Sequence, residues 1–205
     1  MNSFYFQNKV LHAESVPVSD LMGAYGSPLY IYSKSQIEFN WQQFEKSFGS
    51  HPHLICYAVK ANSNLAVLNV LANLGSGFDI VSIGELERVI AAGGNPKKCV
   101  FSGVAKTEQA IQKALEYGIY CFNVESVAEL DRIESVAASL KMNAPISIRV
   151  NPNVDAKTHP YISTGLTENK FGVSVEIALS LYKKTNLSDH LEVFGLDYHI
   201  GSQIT

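Results

Sequence analysis

The sequence predicts an α/β fold, a (β/α)8 barrel of which about six parallel strands are present. Three observations predict it. From residue 33 onward, short apolar runs alternate with segments of helical periodicity, the pattern of a parallel sheet with helices outside. Serine followed three residues later by glutamate recurs where helices should open, at Ser35, Ser82 and Ser126. Asp79, Ser147, Arg149, Asp197 and His199 share a parity and alternate with large apolar neighbours. An open parallel sheet lies under helices on both faces and would be apolar on both. The inner face of a barrel can turn polar near its mouth, where active sites are built.

The elements follow in order. Residues 1–32 stand outside the repeat as an N-terminal arm. Phe4, Phe6 and Val10 alternate as a strand does, and Leu29-Tyr30-Ile31-Tyr32 is a second candidate after the turn signal Gly26-Ser27-Pro28. Ser35-Gln36-Ile37-Glu38 caps a helix running to Phe48, stopped by Gly49. Strands are expected at 54–60, 78–81, 99–102, 120–124, 146–150 and 193–199. Helices are expected at 65–74, from Ser82 to Gly93-Gly94, at 107–117, from Ser126 to Lys141, and at 174–184. A closed barrel takes eight strands and about 250 residues. The 205 residues are therefore expected to be the N-terminal part of such a domain.

Bulk properties narrow the function classes. Hydrophobic content of 46% and charged content of 17% are those of an ordinary globular protein. A net charge of -3 argues against nucleic acid or an anionic membrane as partner. No apolar run reaches the length of a membrane span, and no signal peptide is recognisable. Cys56, Cys99 and Cys121 are odd in number and lie in apolar stretches, so reduced thiols in a cytoplasm are expected. No metal-ligand spacing is present, and His51-Pro52-His53 reads as a surface turn.

Chemistry centres on Leu54-Ile55-Cys56-Tyr57-Ala58-Val59-Lys60-Ala61-Asn62. Strand alternation puts Ile55, Tyr57 and Val59 on one face, and Cys56, Ala58 and Lys60 on the other. Lys60 then ends the strand on the face with most room. A strand-end lysine can simply reach solvent. A buried one must be paired or lose its proton, and a neutral amine is what Schiff-base chemistry needs.

The wording Tyr57-Ala58-Val59-Lys60-Ala61-Asn62 resembles the cofactor-lysine motif of the barrel-fold pyridoxal-phosphate enzymes, which include alanine racemase and several amino-acid decarboxylases. Four further stretches carry the resemblance: Gly77-Phe78-Asp79-Ile80-Val81-Ser82, Ile148-Arg149-Val150-Asn151-Pro152, the long loop 153–172 containing His159-Pro160-Tyr161, and Tyr198-His199-Ile200-Gly201-Ser202. The loop wording is most similar to the diaminopimelate decarboxylase branch. By that resemblance Lys60 holds pyridoxal 5'-phosphate covalently and is catalytic. Asp79 lies beside the cofactor, Arg149 contacts the ring's 3-oxygen, His199 stacks on the ring and Ser202 lies near the phosphate. Structural alternatives stand beside these roles: Asp79 as a helix cap or cation partner, Arg149 paired with Asp79 or Glu125, His199 as a core histidine. His159 is left out of the site.

The resemblance implies decarboxylation of meso-2,6-diaminopimelate to L-lysine and carbon dioxide, the last step of lysine biosynthesis. It also implies a homodimer with a shared site, no metal, and a separate β domain to which residues 1–32 contribute, with 33–205 as the incomplete pyridoxal-phosphate barrel. A sister decarboxylase acting on ornithine, arginine or carboxynorspermidine is the alternative, as is a non-catalytic carrier or regulator that binds pyridoxal phosphate. No glycine-rich phosphate loop is evident, which fits barrels in which that site follows strands seven and eight.

Overall fold

The computed structural model describes residues 3–152 and 171–200. The N-terminal arm forms a three-stranded antiparallel sheet of β1 (Phe4–Gln7), β2 (Val10–Ala13) and β3 (Val16–Pro17), followed by helix α1 (Val18–Tyr25). Helix α1 is not foreshadowed by the turn and strand signals of this arm. Leu29–Tyr32, expected as a strand, is irregular. Alternation gives a segment two faces but no ladder partner, and Tyr30 is exposed.

The second unit begins with α2 (Lys34–Phe48) and continues as β4 (Cys56–Ala58), α3 (Leu65–Asn73), β5 (Gly77–Ile80), α4 (Ile83–Ala91), β6 (Cys99–Phe101), α5 (Glu108–Tyr117), β7 (Cys121–Val124), α6 (Val127–Leu140), β8 (Ala144–Arg149), α7 (Val175–Thr185) and β9 (Leu191–Asp197). The six strands lie side by side in chain order, all parallel. This is the expected α/β architecture.

Side-chain caps set the helix starts. Ser82, Thr107, Ser126 and Ser174 each accept from the backbone N–H three residues on. The first box is displaced: Ser33, not Ser35, caps α2 and accepts from Gln36 N at 3.0 Å. Glu14, from the turn between β2 and β3, accepts from Ser35 N at 2.9 Å and from the Ser33 hydroxyl at 2.7 Å. It takes the place that Glu38 was expected to fill and ties the small sheet to α2.

Register puts Ile80, Phe101, Phe122 and Ile146 in one lateral row, each fully buried under the helices, with Phe101 and Phe122 stacked at 5.9 Å. Burying side chains of this size stabilises by about 1.5–3 kcal/mol each. The opposite face carries Ala58, Asp79, Val100 and Cys121 in a row, then Asn123 beside Ser147 and Arg149 beside Asp197. The polar parity read from the sequence is thus one face of one sheet.

Candidate active site

The strand carrying Lys60 is shorter than expected. It ends at Ala58, and Val59–Ala61 form a single 3-10 turn with Val59 buried beneath it. Burial of Val59 and a hydrogen bond from the Tyr57 hydroxyl to Asn62 O at 3.2 Å close this turn. Lys60 therefore leaves the sheet at a turn, and its side chain lines a cleft of about 520 Å³ at the carboxyl ends of the strands. Asp79 from β5, Arg149 from the end of β8 and His199, two residues beyond β9, line the same cleft. Four of the five expected site residues are brought together. Ser202 and loop residues 153–170 lie outside the described residues.

Asp79 belongs to a chain of hydrogen bonds that crosses the inner face. The Ser102 hydroxyl donates to Asp79 Oδ1 at 2.5 Å, Asn123 Nδ2 donates to Ser102 Oγ at 3.1 Å, and the Ser147 hydroxyl donates to Asn123 Oδ1 at 2.5 Å. The links come from β5, the residue after β6, β7 and β8 in turn. Burial raises the Asp79 carboxyl above its ordinary value, against the Ser102 hydrogen bond and the positive charge of Lys60.

Arg149 Nη1 donates to Glu125 Oε1 at 3.2 Å, and both side chains are buried. Gly103 N donates to the same oxygen at 3.0 Å. The guanidinium lies 5.8 Å from the Phe171 ring. Arg149 Nε, Glu125 Oε2 and Asn151 Oδ1 are buried without a hydrogen-bond partner among the described residues. Gly172 packs against this corner with φ +83°. A Cβ there would stand 3.0 Å from both Arg149 O and Asn151 Oδ1.

His199 is held below its ordinary pKa, first by burial and then by the positive charges of Arg149 and Lys60, against Asp79 and Glu125. The imidazole is therefore neutral near neutral pH. Asp197 is pushed up by burial, with Arg149 opposing. Cys56 also lines the cleft, and burial pushes its thiol up to about 11, so it is no thiolate nucleophile.

Beneath the cleft, the Lys106 ammonium is fully buried. It donates to Glu129 Oε1 at 2.7 Å, to Asn123 O at 2.8 Å and to Gly103 O. The sequence marks Glu125 only as a partner for Arg149 and does not single out Ser102, Asn123 or Lys106. Their parity and position before a helix cap were legible, but the contacts that define them cross strands. No group of three or more histidine, cysteine or acidic side chains able to hold a metal occurs among the described residues. The cleft offers an amine, a guanidinium whose Nε–H has no partner among the described residues, and a neutral imidazole. That set suits a flat aromatic aldehyde bearing acidic oxygens.

The family described as pyridoxal-dependent decarboxylase, pyridoxal binding domain, matches residues 34–205. Among curated proteins, a diaminopimelate decarboxylase of Vibrio cholerae is 60% identical over 201 residues, 98% of this chain and 48% of that protein. Among solved structures, diaminopimelate decarboxylase from Helicobacter pylori complexed with L-lysine is 48% identical with a TM-score of 0.89, covering 91% of this chain and 48% of that one. The enzyme of the same name from M. jannaschii, also in complex with L-lysine, is 38% identical with a TM-score of 0.91, covering 100% and 49%. The chain spans about half the length of the curated relatives it matches.

Proposed function

Since the chain belongs to the family of pyridoxal-dependent decarboxylases, we propose that the protein converts meso-2,6-diaminopimelate to L-lysine and carbon dioxide, with pyridoxal 5'-phosphate held on Lys60. The observation that carries this reading is the convergence of Lys60, Asp79, Arg149 and His199 on one cleft, in a chain 60% identical to a diaminopimelate decarboxylase.

The residues present fit the cofactor. Lys60 supplies an amine for covalent attachment, at a turn whose buried Val59 fixes the backbone. Arg149 supplies a donor fork for an acidic ring oxygen, and its Nε–H is buried with no partner among the described residues. Glu125 anchors the other side of that fork. His199, kept neutral, can lie against an aromatic ring without adding a positive charge. Ser202 is assigned to the phosphate by resemblance alone. When bound, pyridoxal phosphate supplies an electron sink for the pair left behind as the carboxylate departs as carbon dioxide, before a proton takes its place on carbon. The buried sheet beneath the cleft excludes water from one side of it.

In this reading residues 1–32 contribute to a β domain, 33–205 form part of a closed eight-stranded barrel, and the enzyme is a cytoplasmic homodimer. Supporting the division are the separate antiparallel sheet and the family match beginning at residue 34. Supporting the compartment are three free cysteines.

The test is release of carbon dioxide by the full-length protein from meso-diaminopimelate, assayed beside ornithine and arginine. Release from diaminopimelate alone is expected. Release from ornithine or arginine instead would overturn the substrate, and uptake of cofactor without release from any would overturn the activity.

A further inference from the structure

Lys106 does not itself line the cleft, yet its buried ammonium bonds the backbone carbonyls of two residues that do, Gly103 and Asn123. It bonds Gly103 O, and the same glycine's N–H donates to Glu125 Oε1 at 3.0 Å. Glu125 Oε1 is the oxygen that Arg149 Nη1 meets at 3.2 Å. Lys106 also bonds Asn123 O at 2.8 Å, and the side chain of Asn123 links Ser102 to Ser147 in the chain that ends on Asp79. Its charge is met by Glu129 Oε1 at 2.7 Å on α6, and Glu129 is itself buried. The Lys106 side chain is 0% exposed. Buried ammonium groups are costly unless paired and hydrogen-bonded. Here all three donors are used, and two of them clamp backbone carbonyls of the loop after β6 and of β7.

We propose that Lys106 is a positioning residue for the cofactor, acting through Gly103 and Glu125 on Arg149. This rests on the reading that the cleft holds pyridoxal phosphate. A clamp on the Gly103 carbonyl fixes the orientation of its peptide and, with it, the loop that presents the Gly103 N–H. Glu125 then keeps one orientation, and the Arg149 fork keeps its aim. Without the clamp the loop can turn, Glu125 loses a backbone donor, and Arg149 can follow Glu125 away from the ring. Lys106 bonds Gly103 but, among the described residues, neither Glu125 nor Arg149, so the effect carried by this path should exist only while Arg149 is present.

A double-mutant cycle reads this coupling. The dissociation constant of pyridoxal phosphate is measured for the full-length protein, Lys106→Met, Arg149→Met and the double variant, with the borohydride-trapped label mapped to Lys60. Lys106→Met should weaken binding about tenfold in the presence of Arg149 and less than about twofold in its absence, the non-additivity of residues that act through one another. Equal losses in both backgrounds, or an unchanged constant in a folded Lys106→Met, would overturn the proposal. If Lys106→Met does not fold, Lys106→Met/Glu129→Leu removes both buried charges together and enters the same cycle. Failure of the unaltered protein to take up label at Lys60 would overturn the cofactor reading itself, and Lys106 would have nothing to position.

Discussion

Arg149 and Glu125 meet with both side chains largely buried, so the two ways of removing their contact have unequal consequences. Arg149→Met leaves the Glu125 carboxylate buried without its cation. We expect a loss of about 3 kcal/mol in urea unfolding, and much of it should return in Arg149→Met/Glu125→Leu. A single-variant loss below about 1 kcal/mol would mean the pair is solvated. His199 yields a pH prediction. Its folded pKa lies below the ordinary 6.5, so just below that value the unfolded chain holds more protons than the folded one. Stability should therefore rise with pH through the window between the folded value and 6.5, then level off above it. Urea midpoints on either side of 6.5 should lose this rise in His199→Asn. At this scale Lys60, Asp79, Arg149 and His199 were legible because motif wording and parity both mark them. Lys106 was not, since a lysine in Ser102-Gly103-Val104-Ala105-Lys106-Thr107 reads as a solvated residue before a helix cap. Its burial is created by β7 and α6, distant in sequence.

At the scale of elements, caps and glycines carry the testable weight. Ser33→Ala removes the cap of α2 and should cost about 1 kcal/mol, read as a shift of the unfolding midpoint. Glu14 reaches the same helix start from the small sheet. Hydrogen bonds from Ser33 and Ser35 hold its carboxyl below the ordinary 4.5. That tie is fully present above 4.5 and is lost as pH falls through the lower folded value. Hydrogen-exchange protection of the Ser35 amide should follow the same course, and Glu14→Gln should flatten it. Gly172→Ala puts a Cβ into backbone of positive φ, against Arg149 O and Asn151 Oδ1. It should cost about 1–3 kcal/mol and weaken cofactor binding with it. The serine caps at Ser82 and Ser126 are legible because each hydroxyl and the amide it meets lie within one turn of chain. The box at Ser35 was misplaced because its acidic partner, Glu14, comes from another element.

For the molecule as a whole, strand order, direction and the polar face followed from alternation and parity, properties a parallel sheet imposes on every strand it contains. Leu29–Tyr32 shows where that logic stops, since alternation without a neighbouring strand produces no ladder. The central claim is covalent: Lys60 is the attachment point for pyridoxal phosphate in a cleft lined by residues of six strands. The most direct measurement incubates the full-length protein with pyridoxal phosphate, reduces it with borohydride and maps the modified peptide. The label is expected on Lys60 and is expected to be lost in Lys60→Ala. A label on another lysine, or an equal label retained by Lys60→Ala, would contradict the claim.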